Sequence, residues 1–178
     1  AIETNAQLGL AYLMTGREEK ALEFANRALD LATGISPTVY SMDVGYAAIA
    51  EVYFELWDRA LQNPDGTADS VRLKSLAEKA IKLLRAFKKV FPIGQPSLSY
   101  FTGWYEWLNG RRPQALKSWS LGLEAAQKFR MRYEEGLIHM KLGAALGDRA
   151  HFDEAVRIFG DMDAIPMLRR TRELADRK

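Results

Sequence analysis

The sequence predicts an all-α fold built from about four helical hairpins and a C-terminal capping helix. Apolar residues recur at three- and four-residue spacing along nearly the whole chain, which is typical of amphipathic helices, and no segment alternates with period two. A glycine precedes an alanine by twelve residues three times, in the pairs Gly9 with Ala21, Gly103 with Ala115, and Gly143 with Ala155. Such self-similarity indicates a repeat protein. We expect these small residues where two antiparallel helices touch.

The first hairpin is predicted over about 2–34. Its first helix breaks at Thr15 and Gly16, and its second runs from Glu18 until Gly34 provides a left-handed stop. The second hairpin, about 37–92, is a degenerate copy in which Ala50 and Ala80 take the small-residue roles.

Its first helix is expected to open with Ser36 as cap and Pro37 at the first position, and to reach about Leu61. The turn Asn63-Pro64-Asp65-Gly66 follows, and then a helix over 68–90. A helix of about 25 residues is roughly 37 Å long, so this hairpin should project beyond shorter neighbours.

The third hairpin, about 96–128, has a turn at Asn109-Gly110 and a second helix opened by Pro113. The fourth hairpin spans about 131–162, with helices over 131–146 and 152–162. A capping helix over 165–176 completes the chain.

Matching turns and small residues carry a resemblance to a known family. Gly16-Arg17 and Gly110-Arg111 occupy equivalent turns, and the first copy reads Leu8-Gly9, Tyr12, Ala21 and Ala28. This pattern resembles the tetratricopeptide repeat (TPR). The resemblance implies a right-handed α-α superhelix of about four TPR-like hairpins plus a C-terminal capping helix, acting as a non-catalytic scaffold for a protein or peptide. The third copy departs, with Thr102 before Gly103 and Glu106 at the tyrosine position, and the second has an insertion.

A narrower resemblance rests on Phe91-Pro92-Ile93-Gly94-Gln95-Pro96, followed by Tyr100, Gly103, Trp107 and Trp119. It is similar to the helical C-terminal region of bacterial multidomain signalling proteins, which join a nucleotide cyclase to an AAA-type ATPase. The resemblance implies an interaction or intramolecular regulatory role within such a protein. The chain starts without Met inside a helical pattern, so we expect it to be a fragment of a larger protein.

Composition sets limits on function. The 178 residues are 48% hydrophobic and 27% charged, as in an ordinary globular domain. The absence of cysteine excludes disulfides and thiolate chemistry and fits a cytoplasmic protein. No apolar run approaches the roughly 18 residues that cross a membrane.

Charge is unevenly distributed. Residues 1–66 carry 4 basic and 10 acidic side chains, whereas residues 67–132 carry 13 basic and 4 acidic. The basic set of the middle segment is Arg72, Lys74, Lys79, Lys82, Arg85, Lys88 and Lys89. Base-stacking aromatic residues do not interleave with it, so nucleic acid is not the favoured partner. A nucleic-acid- or nucleotide-responsive module using this basic segment remains the alternative function.

No residue pattern indicates catalysis, a metal or a cofactor. His139 and His151 are twelve residues apart on different predicted elements and match no metal-binding motif. We expect His139 to pack inside the fold and His151 to be exposed in the turn before the last hairpin. Asp153 and Glu154 are interpreted as acids at a helix N-terminus.

A peptide-binding groove is the candidate site. Tyr100 and Trp104 lie at helical spacing on a first helix of a hairpin, where the TPR resemblance places the concave face. Glu51, Phe54 and Glu55 would face the same groove, and aromatic residues often dominate interfaces. The alternative for Tyr100 and Trp104 is packing against neighbouring helices. The resemblance implies further groove positions, and none of them is a cation, which argues against a carboxylate clamp: Ala6, Leu10, Ala47, Glu51, Tyr100, Trp104, Met140 and Ala144.

Trp57 is the candidate interface residue. It lies near the outer end of the long second hairpin, where an apolar patch would contact another subunit, giving a homodimer, or a missing domain. The alternative is that Trp57 folds back into the core. No membrane partner is expected.

Overall fold

The computed structural model describes residues 1–63 and 67–176. In these ranges there are nine α-helices, one 3₁₀ turn and no strand. The all-α prediction is therefore confirmed. Most of the predicted turn Asn63-Pro64-Asp65-Gly66 lies outside the described residues, as do Arg177 and Lys178.

The chain divides into two compact units, and the first comprises Ala1–Gly94. Its elements are α1 (Ile2–Met14), α2 (Glu18–Ala32), α3 (Met42–Gln62), α4 (Thr67–Val90) and the 3₁₀ turn Pro92–Gly94. α1 pairs with α2 and α3 pairs with α4, while α3 also packs against α1 and α2. The unit is thus two hairpins side by side.

The second unit comprises Gln95–Lys178. Its elements are α5 (Gln95–Leu108), α6 (Arg112–Phe129), α7 (Arg132–Leu146), α8 (Arg149–Asp161) and α9 (Ile165–Asp176). α5 pairs with α6 and α7 pairs with α8; α7 also packs against α5 and α6, and α9 against α7 and α8. The prediction of one domain over 1–178 stays a prediction.

Small residues lie at the predicted helix contacts. A Cβ atom added to Gly9 would lie 3.1 Å from the carbonyl oxygen of Ala21 and 3.2 Å from the amide nitrogen of Ala25. At Gly103 it would overlap the indole ring of Trp119. The fourth hairpin differs, because Gly143 faces the ring of Phe152 rather than Ala155. In the first copy the glycine therefore lies against the paired alanine and the residue four positions after it. In the third copy it lies against the residue four positions after the paired alanine.

Five helices end in the same left-handed turn. The left-handed positions at these five ends are Gly16, Gly110, Arg130, Gly147 and Asp163. In each case the next amide donates to a carbonyl five residues earlier, for example Arg17 to Tyr12 at 2.9 Å and Arg111 to Glu106 at 2.9 Å. This bond pattern satisfies carbonyl groups that a helix end would leave without partners. The predicted equivalence of these two turns is confirmed.

Two helix starts differ from the prediction by more than one residue. α3 begins at Met42 rather than Pro37. At its start, backbone amides donate hydrogen bonds to carbonyls three residues earlier, as from Met42 to Val39 at 3.3 Å. Thr38 and Val39 are β-branched and Tyr40 is 73% exposed, so no packing offsets their weak helix propensity. α3 therefore has 21 residues, about 31 Å, although it is still longer than α1 and α2.

α8 begins at Arg149 rather than 152. The side chain of Asp148 caps it by accepting a hydrogen bond from the amide of Ala150 at 2.9 Å. Asp153 and Glu154 therefore lie beyond the first residues of the helix, where they form ion pairs with Arg149 and Arg157.

Candidate functional site

Three of the predicted groove residues lie on α3 in the first unit. Phe54 has no exposed surface, Glu55 is 8% exposed and Glu51 is half-buried. A peptide groove requires exposed side chains, so the groove prediction is corrected for Phe54 and Glu55. The physical reason is that α3 is apolar around most of its circumference, and such a helix is buried.

The other two groove residues lie on α5 in the second unit. Tyr100 and Trp104 are each 1% exposed. Their rings form an edge-to-face pair with centroids 5.8 Å apart, and Phe101 completes the cluster. The backbone carbonyl of Tyr100 accepts a hydrogen bond from the indole nitrogen of Trp119 at 3.1 Å. Tyr100 and Trp104 therefore pack against neighbouring helices, which was the alternative prediction. The prediction that they are exposed in a groove is corrected.

Sequence reasoning missed a lysine beside this cluster. The Nζ atom of Lys141, on α7, lies 3.1 Å from the ring centroid of Trp104 and 6.0 Å from that of Tyr100. An ammonium over an indole face is a favourable cation–π contact, worth about 0.5–2 kcal/mol. A cation therefore does lie against the predicted groove aromatics. The spacing of residues along α7 does not by itself predict that Lys141 contacts a ring on α5.

Trp57 is buried between α3 and α4. It is 2% exposed, and its indole nitrogen donates a hydrogen bond to the hydroxyl of Ser70 at 3.2 Å. Its ring lies 5.9 Å from that of Phe54. The expected exposure of Trp57 at the end of the hairpin is therefore corrected, because the ring turns inward where two long helices face each other. Its role in binding stays untested.

The two histidines meet in the second unit. The Nδ1 atoms of His139 on α7 and His151 on α8 are 2.8 Å apart, so one ring donates a proton and the other accepts it. His139 is 9% exposed, as predicted. His151 is half-buried in the first turn of α8, which corrects its predicted exposure; the earlier start of α8 turns it toward α7.

The surroundings of His139 favour its neutral imidazole. Burial lowers the pKa of His139, and the neighbouring His151 lowers it further, while Glu154 and Glu135 act in the opposite direction. Glu154 is itself engaged by Arg157, which lowers the pKa of the Glu154 carboxyl through a hydrogen bond. The lowered pKa favours the neutral form of His139, whose hydrogen bond to His151 links α7 to α8.

The basic middle segment forms the outer surface of α4. The cations Arg72, Lys79, Lys82, Arg85 and Lys89 are all exposed, whereas Lys74 and Lys88 are half-buried. The opposite side of the helix carries Leu73, Ala77, Ala80, Leu84 and Phe87, which are buried. The helix thus separates an apolar side from a cationic side, as its sequence pattern predicts.

Residues 1–63 and 67–176 contain no group of three or more His, Asp or Glu side chains able to hold a metal ion. None of their helices combines the length and apolar character needed to cross a bilayer.

Comparison of the chain with protein-family models, curated proteins and solved structures found no match.

Proposed function

We propose that this chain is a non-catalytic scaffold of TPR-like hairpins that binds a protein or peptide partner. The observation that carries the proposal is a recurring packing arrangement. In the first unit α3 packs against both helices of the preceding hairpin, and in the second unit α7 and then α9 do the same. Repeat proteins of this kind stack successive hairpins and use the resulting surface for binding. A right-handed superhelix is part of this proposal.

The proposed context is a bacterial signalling protein carrying a nucleotide cyclase or an AAA-type ATPase, in the cytoplasm. The support is the resemblance of the segment from Phe91 to Pro96, together with Gly103 and Trp119, to the helical regions of such proteins. The partner is then another protein or another domain of the same chain, and the chain itself needs no cofactor. A homodimer is a further form of the same interaction.

The alternative function is a nucleic-acid- or nucleotide-responsive module. The observation that favours it is the exposed cationic side of α4, since affinity for phosphate backbones requires several cations on one surface. Exposed aromatic side chains for base stacking do not lie among those cations. We therefore place protein binding first.

Affinity capture followed by direct titration tests the proposal. The purified chain captures proteins from a bacterial lysate, and each candidate is then produced separately and titrated by calorimetry, beside duplex DNA, RNA and ATP. We expect saturable, stoichiometric binding to one protein and no binding to generic nucleic acid. Salt-dependent binding of DNA or RNA, without a saturable protein partner, would contradict the proposal and support the alternative.

Two variants control for folding in that experiment. Trp119→Ala removes a ring packed between α5 and α6 and should abolish any binding that needs the folded second unit. Gly160→Ala adds a methyl group where no atom lies within 4 Å and should leave binding unchanged.

A further inference from the structure

α4 presents a row of five cations to solvent, with a gap of seven residues between the first and the second. Arg72, Lys79, Lys82, Arg85 and Lys89, termed the basic face of α4, are all exposed. With a rise of 1.5 Å per residue, the row extends about 25 Å from Arg72 to Lys89. A row of this length can contact a helix of a partner protein over several turns, whereas a single binding pocket would be shorter.

These cations differ from several arginines elsewhere in the chain. Carboxylates on the same or a neighbouring helix pair with exposed arginines in the pairs Arg27 with Glu23, Arg59 with Glu18, Arg132 with Asp161, Arg149 with Asp153, and Arg157 with Glu154. By contrast, no member of the basic face of α4 forms an ion pair with any residue in the described ranges.

Four of the five cations are spaced closely enough along α4 to repel one another, and Glu78, four residues before Lys82, offsets only part of that repulsion. Lys79, Lys82, Arg85 and Lys89 follow one another at intervals of three, three and four residues. Like charges at these intervals are helix-surface neighbours and repel one another, and their separation is within the Debye length of about 8 Å at physiological salt. An anionic ligand along the row would relieve that repulsion.

The surroundings of the row favour a protein over a nucleic acid. Val71 and Val90 are 69% and 52% exposed and lie next to Arg72 and Lys89, at the two ends of the row. An exposed valine can contact apolar side chains of a protein, but it has no charge or hydrogen-bond donor with which to bind a phosphate. A partner helix with carboxylates every three or four residues has the same rise as α4, so its charges match the cations from Lys79 to Lys89.

We propose that the basic face of α4 docks an acidic helix of a partner protein. Carboxylates of that helix, at three- and four-residue spacing, contact the five cations, and an apolar residue near each end contacts Val71 or Val90. This inference rests on the proposed scaffold function and names the chemistry of its partner.

A designed peptide probes the register of this interaction. The probe is a fluorescent, alanine-based helix of about 20 residues, close to the length of α4, with glutamates along one side and a leucine near each end. The matched control peptide has the same composition with its glutamates distributed around the helix. In anisotropy titrations we expect the one-sided peptide to bind about tenfold or more tightly than the control peptide, because only the one-sided peptide can turn all its glutamates toward α4.

Charge reversal on α4 tests the location. Lys79→Glu/Lys82→Glu/Arg85→Glu should lower affinity for the one-sided peptide by about tenfold or more, and a lysine version of that peptide should bind this variant. The matched control Lys20→Glu/Lys117→Glu/Lys128→Glu changes net charge equally at exposed sites on other helices and should bind normally. Should the first variant lose its helical circular dichroism signal, Lys79→Gln/Lys82→Gln/Arg85→Gln replaces it.

Three outcomes would overturn the inference: equal affinity for both acidic peptides, equal losses from both triple variants, or tighter binding of duplex DNA than of the one-sided peptide. A captured partner protein that still binds the α4 variant with full affinity would also overturn it. In that last case the scaffold function stands and its binding surface lies elsewhere.

Discussion

At the scale of single residues, glycine contacts decide how closely paired helices approach. Gly103 on α5 lies so near the Trp119 indole that any added Cβ atom would overlap the ring. Trp119 is 1% exposed and held by its hydrogen bond to the Tyr100 carbonyl. The ring therefore has little freedom to move aside.

We expect Gly103→Ala to destabilise the protein by about 1–3 kcal/mol, the usual cost of overpacking a core. The measurement is urea unfolding followed by circular dichroism. Gly160→Ala is the matched control, because Gly160 is also helical but has no atom within 4 Å of an added Cβ; the gain in helix propensity should make it neutral or stabilising by up to about 1 kcal/mol. Equal stability of the two variants would contradict the assigned contact.

The His139–His151 pair predicts a dependence of stability on pH. Burial and the neighbouring His151 lower the pKa of His139 in the folded state, whereas an unfolded histidine titrates near about 6.5. Acid therefore favours the unfolded chain, which binds the proton more readily. The stabilisation is complete above about pH 6.5 and is lost as the pH falls through the lowered folded pKa. Protonation of both rings would also remove the Nδ1 hydrogen bond.

Thermal melts at neutral and mildly acidic pH check this prediction. The wild-type chain should lose more Tm on acidification than His139→Gln, which keeps a polar side chain that does not titrate. Glu135, Glu154 and Arg157 face His139 in both proteins, so their contributions largely cancel in the comparison. Parallel Tm curves for the two proteins would exclude the histidine pair as the source.

At the scale of elements, Trp57 joins α3 to α4. Its ring is buried, and its indole nitrogen donates to Ser70 across the two helices. We expect Trp57→Ala to cost about 3–5 kcal/mol, because it removes a large buried ring and leaves a cavity. Analytical ultracentrifugation accompanies the unfolding measurement. Unchanged Tm with loss of self-association would instead identify Trp57 as an interface residue.

Asp148 determines where α8 begins. Its carboxylate accepts the amide proton of Ala150, one of the donors that a helix start leaves without a partner. Asp148→Ala should therefore lower stability by about 1 kcal/mol. Asp148→Asn is the control, since asparagine caps about as well as aspartate, and a loss of the same size in both variants would point to the charge rather than to the cap.

At the scale of the whole molecule, the helical content is the most direct check. About 85% of the structure is helical and the described residues contain no strand, far above the roughly one third found in average domains. The far-ultraviolet circular dichroism spectrum should accordingly show strong minima typical of helices. A helical fraction below one half, or a strand component, would refute the fold.

The sequence alone determined the helices, their order and most of their ends. Apolar spacing, glycines such as Gly16 and Gly110, and the small residue at Gly9 act over a few neighbouring positions, so they can be recognised without tertiary structure. The start of α3 was missed because Pro37 signals a helix only if the following residues can join it, and Thr38 and Val39 favour other conformations.

Only the tertiary structure decided which side chains meet. Periodicity shows that the side of α5 bearing Tyr100 and Trp104 is apolar, but an apolar side is equally suited to a groove or to a core. Its burial, the position of Lys141 over Trp104 and the meeting of His139 with His151 depend on how separate helices pack. The physical reason is that hydrophobic burial is non-directional: it requires each apolar stripe to be covered without specifying what covers it.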